Sequence, residues 1–188
     1  VFTTPNLANE ILDSLPQEIF RDKNSTFIDP CVKSGIFLRE ISKRLNNELK
    51  DFLPEKTRRI ENIFKNQVFG IATTELTSLM GRRTLYCSKK ANSQYSLFEE
   101  SINESGNIFY SRFNHSWLNS RCKYCGAPQD VYNRNDELET YAYPFIHKDD
   151  PNLFFDMKFD VVIGNPPYQI SDSGFGKSAK PIYNRFIE

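Results

Sequence analysis

The stretch FDVVIGNPPY, Phe159 to Tyr168, decides how this chain is read. Phe159, Val161, Val162 and Ile163 are apolar β-formers, and their run predicts a short buried strand. Gly164, Asn165, Pro166 and Pro167 stop that run abruptly. The loop thus follows the carboxyl end of a strand, where open α/β sheets place their ligands, on a backbone that two prolines stiffen. Asn165 and Tyr168 are then the side chains expected to project into a site.

The residue types suit chemistry on a flat amine. An exocyclic amine on a nucleobase is a poor nucleophile because its lone pair is delocalised into the ring. The Asn165 side-chain oxygen and the Pro166 carbonyl can each accept one N–H and leave the lone pair aimed at an electrophile. Pro166 and Pro167 bring no N–H to compete for those acceptors. Tyr168 can stack on the base, a contact worth roughly 1–3 kcal/mol in nucleic-acid sites. A Pro-rich turn without chemistry is the bland alternative.

NPPY after a hydrophobic strand resembles the catalytic motif of the S-adenosylmethionine-dependent N6-adenine DNA methyltransferases. It is also similar to motifs of RNA and protein-glutamine amino-methyltransferases. The resemblance implies catalytic roles for Asn165, Pro166, Pro167 and Tyr168, with Asn165 at the cofactor as well.

The 188 residues suffice for one domain with a substantial core. Twenty-four basic and 24 acidic residues cancel, so any nucleic-acid groove is expected to be local or mostly outside this chain. No apolar run approaches a membrane span and no signal-peptide pattern is present, so a cytoplasmic location without membrane contact is the default expectation. The chain starts without methionine and ends inside an expected helix, which reads as the catalytic portion, residues 1–188, of a longer protein.

From the start, VFTT is extended. Thr4 is a good N-cap and Pro5 a good first residue for a helix with Leu7, Ile11, Leu12 and Leu15 along one face. The FTTP segment resembles the one that precedes the cofactor loop in methylases of this motif order, which makes Phe2, Thr3, Thr4 and Pro5 candidate cofactor contacts. Next, TFID (Thr26 to Asp29) predicts a strand, and PCVKSGIFLREISKRL a turn running into a helix, the βα unit that holds nucleotide-like cofactors. DPCVKSGIFL resembles the methylases' cofactor motif, so Asp29, Pro30, Ser34, Gly35 and Phe37 carry over as S-adenosylmethionine contacts. Lys33 departs from the pattern, where glycine is commoner, and a lysine narrows the backbone and adds charge. Cys31 beside this loop reads as a packing residue and not as a nucleophile.

Downstream, QVFGI (Gln67 to Ile71) predicts the second strand and Thr77 to Cys87 a helix. A ribose-binding carboxylate is expected near the end of that strand, but the nearest, Glu75, reads as a helix start. Residues 87–150 are polar, aromatic-rich and poorly periodic, and read as an insertion. Within it, Cys122 and Cys125 in RCKYCGA have zinc-knuckle spacing. A structural Zn2+ needs two further ligands, for which Cys87 and His115 are the first candidates and His147 the substitute. After NPPY, a Gly- and Ser-rich stretch suits a mobile lid before a helix.

Together these readings predict an α/β, Rossmann-like methyltransferase fold: a three-layer sandwich with a mostly parallel sheet, here partial, plus a small irregular insertion. The resemblance is closest to restriction-modification methylases of the type IIG and type III kinds. It implies methyl transfer to a flipped-out adenine in double-stranded DNA, and a fused nuclease or a separate restriction subunit as partner. Target recognition is expected outside this chain, and the isolated chain is expected to be weakly active or inactive. A non-catalytic recognition or assembly module with a methylase-like fold is the other class of reading.

Overall fold

Six residues, Phe27–Val32, form β1, the central strand, and all six are buried. The computed structural model describes residues 2–147, 155–170 and 180–186. Phe27 and Ile28 pair in parallel with Val68 and Phe69 of β2 (Val68–Ala72) on one side and with Val161 and Val162 on the other. β2 in turn pairs in parallel with β3 (Ile108–Phe109). β1 outlasts the expected TFID because the ladder skips between Asp29 and Val32. Pro30 lies in that irregularity, where its missing N–H leaves no ladder bond unmade.

Helix α1 (Pro5–Asp13) starts as the sequence predicts, with Thr4 Oγ1 accepting the Leu7 N–H at 3.3 Å and Pro5 in its first turn. α2 (Ile36–Glu48) follows β1 and packs on α1. α3 (Lys56–Asn62) leads through a widened turn into β2. α4 (Glu75–Tyr86) follows β2, closed at its start by a reciprocal capping box between Thr74 and Thr77. Leu12, Phe27, Leu38, Ile41, Leu45 and Val68 belong to the core that these elements share. This is the expected Rossmann-like α/β arrangement. Among the described residues, no helix is long and apolar enough to cross a membrane.

Two glycines allow α2 and α4 to approach. Gly35 caps α2 with φ +76°, and a Cβ there would lie 2.9 Å from Cα of Gly81 in α4. Gly35→Ala is therefore expected to cost roughly 2–4 kcal/mol, the sum of a left-handed backbone penalty and overpacking against immobile backbone. Denaturant unfolding of the variant measures it; unchanged stability would show that the helices can separate freely.

The chain divides into two compact units. The first comprises residues 1–110 and 157–165, the second 111–156 and 166–188. The expected insertion, residues 87–150, overlaps the first unit up to residue 110. Ile108–Phe109 is a strand of the main sheet, which polar surroundings concealed in the sequence. It is held by Asn107, whose side chain donates to the carbonyls of Phe64 and Val68 and whose N–H donates to the Tyr86 hydroxyl.

In the second unit, β4 (Trp117–Leu118) and β5 (Arg121–Cys122) form an antiparallel hairpin. Asn119 and Ser120 both have positive φ, as a two-residue hairpin turn of the primed type requires. α5 (Gln129–Tyr132) and α6 (Pro144–His147) are single turns. The last strand of the parallel sheet, β6 (Val161–Val162), returns the chain to the first unit. After NPPY, β7 (Gln169–Ile170) pairs antiparallel with β8 (Lys180–Pro181), and Tyr183–Phe186 is a short 3-10 turn where a helix was expected. The Gly- and Ser-rich lid expected at 171–179 lies outside the described residues.

Candidate active site

The parallel strands run in the order β3-β2-β1-β6. Connections from β1 progress outward to β3, and the chain then returns to the opposite side of β1. The point of reversal, between the carboxyl ends of β1 and β6, is where open α/β sheets leave a crevice. Asp29 and Asn165 stand on its two sides. Asp160 fixes the register of the strands: its carboxylate accepts the N–H and hydroxyl of Thr26 at 2.8 and 2.9 Å.

One cleft at this point is lined by Thr3, Asp29, Ser34, Gly35, Phe37 and Asn165, which the sequence assigned to the cofactor from three separate segments. Pro30 is part of β1, and Thr4 is engaged as the cap of α1. Neither Pro30, Thr4 nor Pro5 lines the cleft, and Phe2 is 55% exposed. Asp29 is only 3% exposed, and its Oδ1 accepts the Cys31 N–H at 2.9 Å. Burial pushes this carboxyl up to about 7, with the Cys31 N–H and the Lys33 charge pulling the other way. Burial, with Asp29 nearby, pushes the Cys31 thiol well up, so it is a protonated packing group, as read from the sequence.

Gly164 shows why the motif's glycine is needed. A Cβ at this position would meet Asp29 Oδ1 at 2.5 Å and Pro30 Cδ at 3.3 Å. The backbone before Asn165 can therefore pass the acidic loop only without a side chain.

Asn165 donates through Nδ2 to Thr3 Oγ1 at 3.2 Å. Its Oδ1 is buried and has no hydrogen-bond partner. An unsatisfied buried acceptor is costly, and such atoms concentrate where a ligand completes the bonding. The sequence did not foresee the role of Lys33: Nζ donates to the Asn165 main-chain carbonyl at 3.1 Å. What looked like a defect in the glycine pattern ties the turn after β1 to the Asn165 backbone. Glu75 is exposed in the first turn of α4, as its reading as a helix start implied.

The unit boundary falls between Asn165 and Pro166. Within the second unit, Tyr168 is 65% exposed, and its main-chain carbonyl accepts the Ile182 N–H at 2.9 Å. The ring is thus accessible while the backbone beneath it is fixed.

The cysteine and histidine candidates separate into two groups. Ligand atoms of His115, Cys122, Cys125 and His147 all lie within 4.8 Å of one another. Cys87 is not among them, and this corrects its place ahead of His147: it is an exposed residue at the end of α4, in the left-handed conformation with φ 60°. Sequence spacing favoured it, but the end of α4 belongs to the first unit and the four clustered residues to the second.

The family model of the Eco57I restriction-modification methylase matches residues 66–188, more than half of the chain. The chain belongs to the Eco57I restriction-modification methylase family. The matched segment holds β2, β6 and NPPY, and leaves β1 and the turn after it upstream. A relative from Mycoplasma pneumoniae (strain ATCC 29342 / M129 / Subtype 1), named an uncharacterized adenine-specific methylase, is 35% identical over 213 residues, covering 100% of this chain and 50% of the relative. The chain thus spans about half the length of the curated relative it matches. In this methylase family member, the cleft and the unsatisfied Asn165 oxygen lie on the carboxyl side of β1 and β6.

Proposed function

We propose that the full-length protein methylates the N6 amine of adenine in double-stranded DNA, as part of a restriction-modification system and with S-adenosylmethionine as donor. The observation that carries this reading is the buried, partnerless Oδ1 of Asn165 at the point where the sheet reverses. An amine N–H is the donor it lacks. The Pro166 carbonyl accepts the second N–H, so that the nitrogen lone pair points away from both acceptors. Tyr168 stacks on the base, which has left the duplex at a cost of a few kcal/mol. The transfer is direct, with no covalent enzyme intermediate.

The cleft residues suit the donor in kind. Asp29 offers a carboxylate to a cationic ligand, and the start of α2 at Gly35 lines the cleft. Thr3 and Phe37 would flank the ligand. When bound, the cofactor supplies an electrophilic sulfonium methyl group.

The adenine assignment draws on the name of the Mycoplasma pneumoniae relative and on the NPPY resemblance. With no net charge, the chain leaves most DNA contact, and the recognition of a target sequence, to other regions of the protein. A nuclease, fused or separate, is the expected partner. The test is a methyl-acceptor assay of the full-length protein with labelled donor and three acceptors: duplex DNA, RNA and protein. Label is expected in DNA, recovered as N6-methyladenine. Label confined to RNA or to glutamine side chains would replace the substrate, and DNA binding without transfer to any acceptor would favour a recognition module.

A further inference from the structure

We propose that His115, Cys122, Cys125 and His147 form a structural zinc site that holds the second unit together. The argument begins with the two imidazoles. His115 Nε2 lies 2.8 Å from the Thr140 carbonyl, and His147 Nδ1 lies 2.8 Å from the Tyr143 carbonyl. A carbonyl can only accept, so each of these nitrogens carries the ring's proton. The remaining nitrogens, His115 Nδ1 and His147 Nε2, are therefore bare lone pairs. They face each other at 3.2 Å. Two lone pairs at that distance repel unless a proton or a metal ion lies between them, and the sulfur atoms beside them favour the metal.

Sulfur completes the set. Cys125 Sγ is 3.4 Å from the same His115 Nδ1, and Cys122 adds the fourth donor within the 4.8 Å cluster. A tetrahedral zinc, with bonds of about 2.0–2.1 Å to nitrogen and about 2.3 Å to sulfur, separates two nitrogens by about 3.3 Å and nitrogen from sulfur by about 3.5 Å. Both observed separations agree with these to within about 0.2 Å. Four protein donors leave no open position, which marks the site as structural.

The surrounding groups are those such a site needs. The two carbonyls fix each ring's tautomer and orientation. Around the thiols, the Gly126 N–H donates to the Cys122 carbonyl at 2.9 Å, and the Cys122 N–H donates to the Ala127 carbonyl at 2.9 Å. Gly126, at φ +75°, turns the chain back after Cys125, so that the Ala127 carbonyl reaches the Cys122 N–H. Trp117 stacks on the His115 ring with centroids 4.9 Å apart.

The second unit also needs a cross-link. Among its described residues the buried apolar ones are Cys122, Ala127, Pro128, Ala142, Pro144, Ile146 and Ile182. So small a core cannot by itself order this many residues, and domains of this kind depend on metals or disulfides. The four ligands come from three separated places in the sequence, so one ion closes two loops.

The test uses the full-length protein purified without chelator. Metal analysis is expected to give one zinc per chain. Replacement by Co2+ should give the visible bands of a tetrahedral ion together with a thiolate charge-transfer band. Cys125→Ser should lose the metal and Cys87→Ser should keep it. Chelation should lower the melting temperature of the wild-type protein. Because the wild-type cobalt spectrum reads the ligands directly, the test does not depend on the variants folding. A Cys122–Cys125 disulfide by mass spectrometry, a metal-free protein indifferent to chelator and to added Zn2+ or Co2+, or metal lost from Cys87→Ser but kept by Cys125→Ser would each overturn the site.

Discussion

Asn165→Ala in the full-length protein is expected to lower the rate of methyl transfer by about 10²–10³-fold, the usual loss when one preorganised group at a reacting centre is removed. The affinity for the methyl donor should fall by no more than about tenfold, the value of one neutral hydrogen bond. The separation of the two effects follows from the geometry. Nδ2 is already satisfied by Thr3, whereas Oδ1 waits for a donor. Asn165→Asp keeps an acceptor oxygen and should retain more activity than the alanine variant. Single-turnover kinetics with saturating DNA, beside calorimetric titration of the donor, make the comparison. Wild-type turnover in Asn165→Ala would remove this residue from the reacting centre.

Asp29→Asn is expected to stabilise the protein at pH 8 and to weaken cofactor binding at the same time. The Asp29 carboxyl is pushed up to about 7 in the folded protein, against 3.8 for a free group, mainly by burial. A raised carboxylate pKa means that the folded state holds the proton more tightly than the unfolded state. Stability is then greatest with the proton on, below about pH 4. It declines as pH rises toward 7 and stays at the lower level above that. The gap of about three units corresponds to a cost on the order of 4 kcal/mol at alkaline pH. Asparagine keeps an oxygen for the Cys31 N–H and carries no charge, so its unfolding curve should lose this slope. In the wild type, a cationic ligand in the cleft favours the carboxylate, so affinity for the donor should rise with pH through about 7. Denaturant unfolding and donor titration at pH 5, 6, 7 and 8 test both halves. A variant less stable than wild type at pH 8 would mean that the buried charge is already compensated.

These two residues also show how far the sequence could be read. Asp29 and Asn165 were both identifiable from a β-forming run followed by a turn, because strand-end loops of parallel sheets have a strong local signature. Their meeting in one cleft was implied by motif order, and so was the participation of Thr3. Lys33 was legible only as a departure, since nothing local says that its ammonium reaches the carbonyl of a residue 132 positions away. Ile108–Phe109 was missed because a two-residue strand has no periodicity, and its place depends on Asn107 and Tyr86 meeting across the fold. For the cysteines, spacing identified the Cys122–Cys125 pair but ranked Cys87 above His147. Ligand choice depends on which loops fold together, and proximity in sequence is a poor guide to that.

By itself the sequence determined the βα elements, the cap of α1, the turn glycines and the motif that ends β6, because each depends on interactions among residues a few positions apart. The tertiary structure decided the strand order, the orphaned state of Asn165 Oδ1, the high pKa of Asp29 and the fourth member of the Cys and His cluster. Each of these depends on desolvation or convergence between distant segments, and those arise only when the chain is packed.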